Sequence, residues 1–69
     1  MENYQRVYLA YDTLPAEAHN YIHVIMWMSI KTDMTKKHYR FYIECTAEAR
    51  PIVELELKTG NIPFVNLKS

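Results

Sequence analysis

Apolar side chains occupy every second position in three segments of this chain of 69 residues, and that period is typical of β-strands. The first segment is 4–11, the second is 20–32 and the third is 39–45. The polar link DMTK separates the second segment from the third, which predicts a long antiparallel hairpin. Between the first two segments lies DTLPAEAHN, for which we predict a loop that holds at most two turns of helix.

The segment 20–32 carries the strongest pattern. Every second position in it is apolar, at Ile22, Val24, Met26, Met28 and Ile30. A helix that begins near Thr13 would also run through this segment, but it would be apolar nearly all round between residues 24 and 28. We therefore predict a strand. Ile25 and Trp27 lie on its other face, so we expect that face to be covered too, by a helix or by a partner.

The segment TAEARPIVELELKTG permits two interpretations. As a helix it carries acidic residues early and lysine late, and it ends at Gly60, a usual place for glycine. As a strand it alternates apolar and charged residues from 53 to 58. We favour a helix from about Glu48 to Thr59. The closing IPFVNL, residues 62–67, is then a short strand at the edge of the sheet.

These segments together predict one domain, residues 1–69, of the α+β class. Its core is a small antiparallel sheet of three or four strands with one C-terminal helix, in the order β-β-β-α-β. If VELELK is a strand instead, the alternative is a five-stranded small β-barrel. A chain of this length buries only about 60% of the surface that its unfolded form exposes.

Composition limits the classes of function and the cellular compartments that we expect for the protein. Eight basic and eight acidic side chains give a net charge of zero, which argues against a non-specific DNA binder. The single cysteine excludes an intramolecular disulfide and suits a reducing compartment. The stretch MENYQRVY lacks the apolar region of a signal peptide. The longest apolar run, 24–28, is far shorter than the roughly 20 residues of a membrane-spanning helix. We expect a cytoplasmic protein that does not enter a membrane.

The outward side chains of the predicted strands form a surface rich in tyrosine and arginine, residue types that anchor protein interfaces. With two lysines at the adjoining turn, this patch consists of Arg6, Tyr8, Arg40, Tyr42, Lys36 and Lys37. We predict a non-enzymatic protein-binding module that docks this face on a protein partner or on a second copy of itself. Small neutral domains of this kind are often regulators or inhibitors, including those of phages and other mobile elements.

Part of the stretch KKHYRFYIECT resembles the third strand of RNA-recognition-motif domains, with Lys37, Tyr39 and Phe41 at the basic and aromatic positions. Residues 7–9, aliphatic-aromatic-aliphatic, resemble the first strand of that family. The resemblance implies that these aromatic rings, with Tyr8, stack on bases. Binding of single-stranded nucleic acid through strand 36–42 is therefore the alternative function.

The alternation within the same stretch favours a different orientation of its side chains. If Tyr39 and Phe41 faced solvent, Arg40 and Glu44 would face the core, which is costly for charged groups without partners. We therefore expect Tyr39, Phe41 and Ile43 to point inward, as in an ordinary core strand.

Residues suited to catalysis or metal binding are sparse. On a helix, His19 and His23 would share one face, as zinc sites require, but on the predicted strand they lie roughly 13 Å apart. His38 and Cys45 fall on opposite faces of one strand. Gly60 is the only glycine, so a glycine-rich phosphate loop is lacking. We predict no enzymatic activity, no metal site and no cofactor.

Overall fold

A computed structural model describes residues 3–65 of the chain. Its elements in chain order are strand β1 (Tyr4–Leu9), helix α1 (Ala16–Asn20), a π turn (Tyr21–Ile25), strand β2 (Lys31–Thr32), strand β3 (Phe41–Thr46), helix α2 (Arg50–Thr59) and strand β4 (Phe64–Val65). The sheet order is β2-β3-β1-β4 and each neighbouring pair is antiparallel. The succession β-α-β-β-α-β is that of ferredoxin-like domains.

The predicted α+β class, with a small antiparallel sheet and a C-terminal helix, is confirmed. Across the described residues the sheet stays open, with β2 and β4 at its edges, so the alternative five-stranded barrel is wrong. Strand β2 is two residues long, and a short edge offers little template for pairing with another chain. Strand β4 has two residues within the described part of the chain, which ends at Val65.

The core lies between one face of the sheet and the two helical segments. Because side chains alternate along a strand, β1 and β3 each present every second residue to this face. The buried cluster consists of Val7, Leu9, Ile43 and Cys45 from the sheet, Ala18 and Ile22 from the first helical segment, Val53 and Leu57 from α2, and Ile62. Burial of a valine, leucine or isoleucine stabilises the fold by about 1.5–3 kcal/mol, so the aliphatic members of this cluster hold the layers together.

The prediction of a strand over residues 20–32 is wrong. The helix that begins at Ala16 continues as the π turn to Ile25, and only Lys31–Thr32 pair as a strand. Ala18 and Ile22, spaced by one helical turn, face the core, whereas Val24 and Ile25 are exposed. The apolar alternation therefore included side chains that do not reach the core. Compared with the predicted order β-β-β-α-β, the observed order has one more helix.

Strand β3 begins at Phe41, later than predicted. Phe41 packs against the core and Ile43 lies within it, as expected. Tyr39 does not point inward: it precedes the strand, has a φ of 55° and is 44% exposed. The tyrosine ring therefore lies on the surface, and the preceding residues Lys37 and His38 are exposed as well.

The helix and short strand predicted for the C-terminal third are confirmed as α2 and β4. Pro51 lies in the first turn of α2, where a missing amide proton costs nothing. Residues 66–67 of the predicted strand lie outside the described residues. Two hydrogen bonds close the helix end: the amide of Asn61 donates to the Lys58 carbonyl and that of Ile62 to the Leu57 carbonyl. This is a Schellman motif, and Asn61 supplies its left-handed residue (φ 58°).

Gly60 is needed for space rather than for its backbone conformation, because its φ is −86°. A Cβ atom placed there would meet the Tyr21 ring at 2.6 Å. The ring thus packs directly on the backbone where α2 ends, which joins the first helical segment to the second.

We expect Gly60→Ala to lower the free energy of unfolding by about 1–3 kcal/mol, because the methyl group overpacks the Tyr21 ring. The same change in a Tyr21→Ala background should be neutral or stabilising by about 0.4–1 kcal/mol, since alanine suits this φ. Urea denaturation of the four proteins of this cycle measures both effects. Equal destabilisation in the two backgrounds would contradict the packing explanation.

Candidate functional site

The outer face of the sheet, opposite the helices, carries the alternate side chains of β1 and β3. Tyr8 and Tyr42 are directly paired across the two central strands, and their ring centroids lie 5.3 Å apart. Arg6 extends over the Tyr42 ring, with 4.5 Å between the guanidinium carbon and the ring centroid. At the edge of this face, Lys31 donates to the Glu44 carboxylate at 2.9 Å. Arg6, Tyr8 and Tyr42 therefore lie together as one cluster on the outer sheet face.

The connection between β2 and β3 covers this cluster. The Tyr8 hydroxyl donates to Asp33 Oδ2 at 2.6 Å, and Arg6 Nη1 donates to the same oxygen at 3.2 Å. Lys36 Nζ lies 4.8 Å from the centroid of the Tyr8 ring. As a result Tyr8 and Tyr42 are each only 8% exposed. Their rings are held in internal contacts rather than presented to solvent.

Asp33 is a buried carboxylate whose second oxygen is also bonded. The Thr35 hydroxyl and the Thr35 amide both donate to Oδ1. The hydrogen bond from the Thr35 hydroxyl, followed by that from Tyr8, lowers the pKa of Asp33 from 3.8 to about 2. Burial, with the bond to Asp33, raises the pKa of the Tyr8 phenol. The carboxylate is thus ionised in the folded protein and ties the β2–β3 connection to the sheet.

The structure brings together four of the six residues predicted for partner binding: Arg6, Tyr8, Tyr42 and Lys36. The other two, Arg40 and Lys37, lie in the connection between β2 and β3, outside this cluster. There the Arg40 guanidinium donates to the Lys37 carbonyl at 3.2 Å, and the Arg40 carbonyl accepts from the Asp33 amide. Arg40 is half-buried and serves here to shape the loop.

A second feature, the end of the first helical segment, was not among the predicted site residues. The amide of Met26 donates to the Tyr21 carbonyl, and the amide of Met28 donates to the Ile22 carbonyl, each at 3.1 Å. Trp27, the residue between these two donors, lies in the left-handed region at φ 57°. Its side chain is 87% exposed. We call residues 23–29 the Trp27 turn.

A shallow cleft of about 290 Å³ opens beside the indole ring, lined by His23, Val24, Trp27, Met28 and Ser29. All five side chains are apolar or uncharged when the histidine is neutral. Val24, which lines the cleft, and its neighbour in the chain, Ile25, are both exposed. Exposed apolar groups that adjoin a cleft are characteristic of binding surfaces.

The groups considered for catalysis and metal binding are placed as follows. Cys45 is buried, and burial raises the pKa of its thiol, so it holds its proton and is a poor nucleophile. At the surface, His38 Nδ1 lies 3.1 Å from Asp12 Oδ1. His19 and His23 are not 13 Å apart as on the predicted strand. They lie on the helical segment with their rings stacked, the centroids 5.4 Å apart.

Comparison with known proteins found no family model that matches the chain, and no curated protein or solved structure matched it either. Within residues 3–65, no helix is both long enough and apolar enough to cross a bilayer.

We expect Asp33→Asn to be less stable than the natural protein at neutral pH, and the difference to shrink as the pH falls. The carboxylate has a lower pKa in the folded state, about 2, than its ordinary 3.8. Its stabilisation is therefore complete above pH 3.8 and is lost progressively toward pH 2. Urea unfolding between pH 7 and pH 2 measures this dependence.

The matched control for this experiment is Glu48→Gln, at an exposed carboxylate that precedes α2. The free energy of unfolding of this variant should change with pH as that of the natural protein does, across the same pH range. A stability difference between Asp33→Asn and the natural protein that does not change with pH would show that ionised Asp33 does not hold the loop.

Proposed function

We propose that this protein is a non-enzymatic protein-binding module and that Trp27 is its principal docking residue. The observation that carries the proposal is a tryptophan that is 87% exposed at a left-handed backbone position. Tryptophan is the residue type most enriched among those that dominate binding energies at protein interfaces. A small regulator or inhibitor, of the phage or mobile-element kind, is the biological role we expect for such a module.

The backbone conformation strengthens this interpretation. A left-handed conformation costs a residue with a Cβ roughly 1–2 kcal/mol, and glycine adopts it freely. For folding alone, glycine or asparagine would suit position 27 better, and asparagine occupies the equivalent place after α2 at Asn61. Unfavourable conformations of this kind are concentrated at functional sites. Since the ring adds little to the core, its benefit lies in a contact outside this chain.

The chemistry of the Trp27 turn specifies the partner. The residues that line its cleft carry no carboxylate, lysine or arginine, so charge attraction does not drive the contact. The complementary surface is an apolar pocket, wide enough for an indole ring and rimmed by a carbonyl that accepts the indole N–H. The cluster around Arg6 and Lys36, on the outer sheet face, supplies a charged surface for secondary contacts.

Binding of single-stranded nucleic acid is the second candidate function. The observation that favours it is the placement of Tyr8 and Tyr42 on the two central strands of a four-stranded sheet, facing away from the helices. RNA-recognition-motif sheets stack bases on aromatic rings in such strands. Here Asp33 and Lys36 cover the rings, so bases would reach them only after the connection between β2 and β3 moves.

Trp27→Gly should weaken docking about thirtyfold or more while making the fold more stable. Removing a tryptophan from an interface centre costs about 2 kcal/mol or more of binding energy. Trp27→Ala loses the same ring but keeps the left-handed strain, so the glycine variant should exceed it in unfolding free energy by about 1 kcal/mol. Partners captured from the native host by the natural protein are identified by mass spectrometry. The purified partner is then titrated against each variant by calorimetry.

Ile52→Ser, at an exposed apolar residue of α2, is the matched control and should retain full affinity. Arg6→Ala tests the contribution of the outer sheet face. If Trp27→Gly binds the partner as tightly as Ile52→Ser does, the docking site lies elsewhere. Light scattering after size exclusion determines whether the partner is a second copy of the chain.

For the nucleic-acid candidate, we expect retention on a single-stranded DNA column that weakens steeply with salt, because phosphate contacts release counterions. The double variant Lys36→Ala, Lys37→Ala should elute at lower salt than the natural protein. Passage of the natural protein through the column at low salt would eliminate this function.

A further inference from the structure

His19 and His23 lie close together because the segment that carries them is helical and not, as predicted, a strand. His19 lies in α1 and His23 in the π turn, four residues later. Their rings are nearly parallel, 10° apart in plane, with 5.4 Å between the centroids. Both side chains are exposed, so the pair faces solvent, and the core does not depend on it.

We propose that His19 and His23 together bind a divalent late transition metal, with Cu²⁺ held most tightly. Imidazole is a protein ligand that suits nickel, copper and zinc, and among these ions affinity is highest for Cu²⁺. Two histidines four residues apart on one helical face are the arrangement that zinc-binding helices use. Their rings are neighbours, but because the ring planes are nearly parallel, at least one ring must turn for a nitrogen of each to reach the same ion.

The surroundings of the pair define what kind of metal site this is. No cluster of three or more histidine, cysteine, aspartate or glutamate side chains able to hold a metal occurs in residues 3–65. The two imidazoles therefore supply part of the coordination sphere, and water occupies the remaining positions. An incompletely coordinated metal is accessible, so it exchanges with solution instead of holding the fold together.

The position of Trp27 provides a direct readout. His23 and Trp27 line the same cleft, and Trp27 is the only tryptophan of the chain. Cu²⁺ bound at His23 lies close enough to quench the indole fluorescence. Addition of a copper salt to the purified protein should quench that fluorescence in a saturable manner, with one metal ion per chain.

His19→Gln and His23→Gln should each weaken copper binding at least tenfold, because either change leaves a single imidazole. His38→Gln, at the third histidine of the chain, is the matched control and should bind copper as the natural protein does. Thermal unfolding of each variant without metal verifies that the fold is retained. In nuclear magnetic resonance spectra, broadening by Cu²⁺ should be centred on the imidazole signals of residues 19 and 23.

Two results would overturn the proposal: quenching that rises without saturation, or an equal loss of binding in His38→Gln. The proposal is independent of the docking function of Trp27. Trp27→Gly should still bind copper with unchanged affinity in calorimetry, even though it lacks the fluorescent ring.

Discussion

The Asp33 carboxylate is the contact on which the surface of this protein depends. It accepts hydrogen bonds from the Tyr8 hydroxyl, the Arg6 guanidinium and two groups of Thr35. A buried carboxylate is tolerated only where such donors replace water. Through these hydrogen bonds Asp33 fastens the β2–β3 connection across the two central strands. The connection thereby encloses aromatic rings that an uncovered sheet would expose.

Closure of the outer sheet face changes which part of the molecule is free to bind. The tyrosines contribute to the stability of the sheet, with Lys36 and Arg6 stacked on their rings. Exposed apolar side chains adjoin a cleft at the Trp27 turn, beyond the core-facing part of the first helical segment. Tyr8 and Tyr42 thus belong to an internal, hydrogen-bonded cluster, whereas Trp27 is the most exposed of the large apolar side chains in the described residues.

Sequence patterns predicted the elements whose apolar residues reach the core. The strands β1 and β3 and the helix α2 follow the expected periods. The segment 20–32 did not, because Val24, Ile25 and Trp27 are apolar yet exposed, and their spacing imitates a strand. The shared face of Arg6, Tyr8 and Tyr42 followed from alternation alone. That the β2–β3 connection closes over this face could not be predicted from alternation. The available signal was Asp33, the single acidic residue in the basic stretch 31–40.

The carbon-13 signal of the Asp33 carboxyl group, followed by nuclear magnetic resonance as the pH is lowered, tests this account most directly. Donors on both carboxylate oxygens should keep the group ionised, so that its pKa lies near 2. The Tyr8 phenol should titrate above its ordinary value of 10.0 in the same protein. An Asp33 pKa at or above 3.8 would contradict the account, because it would mean that the connection does not close over the sheet.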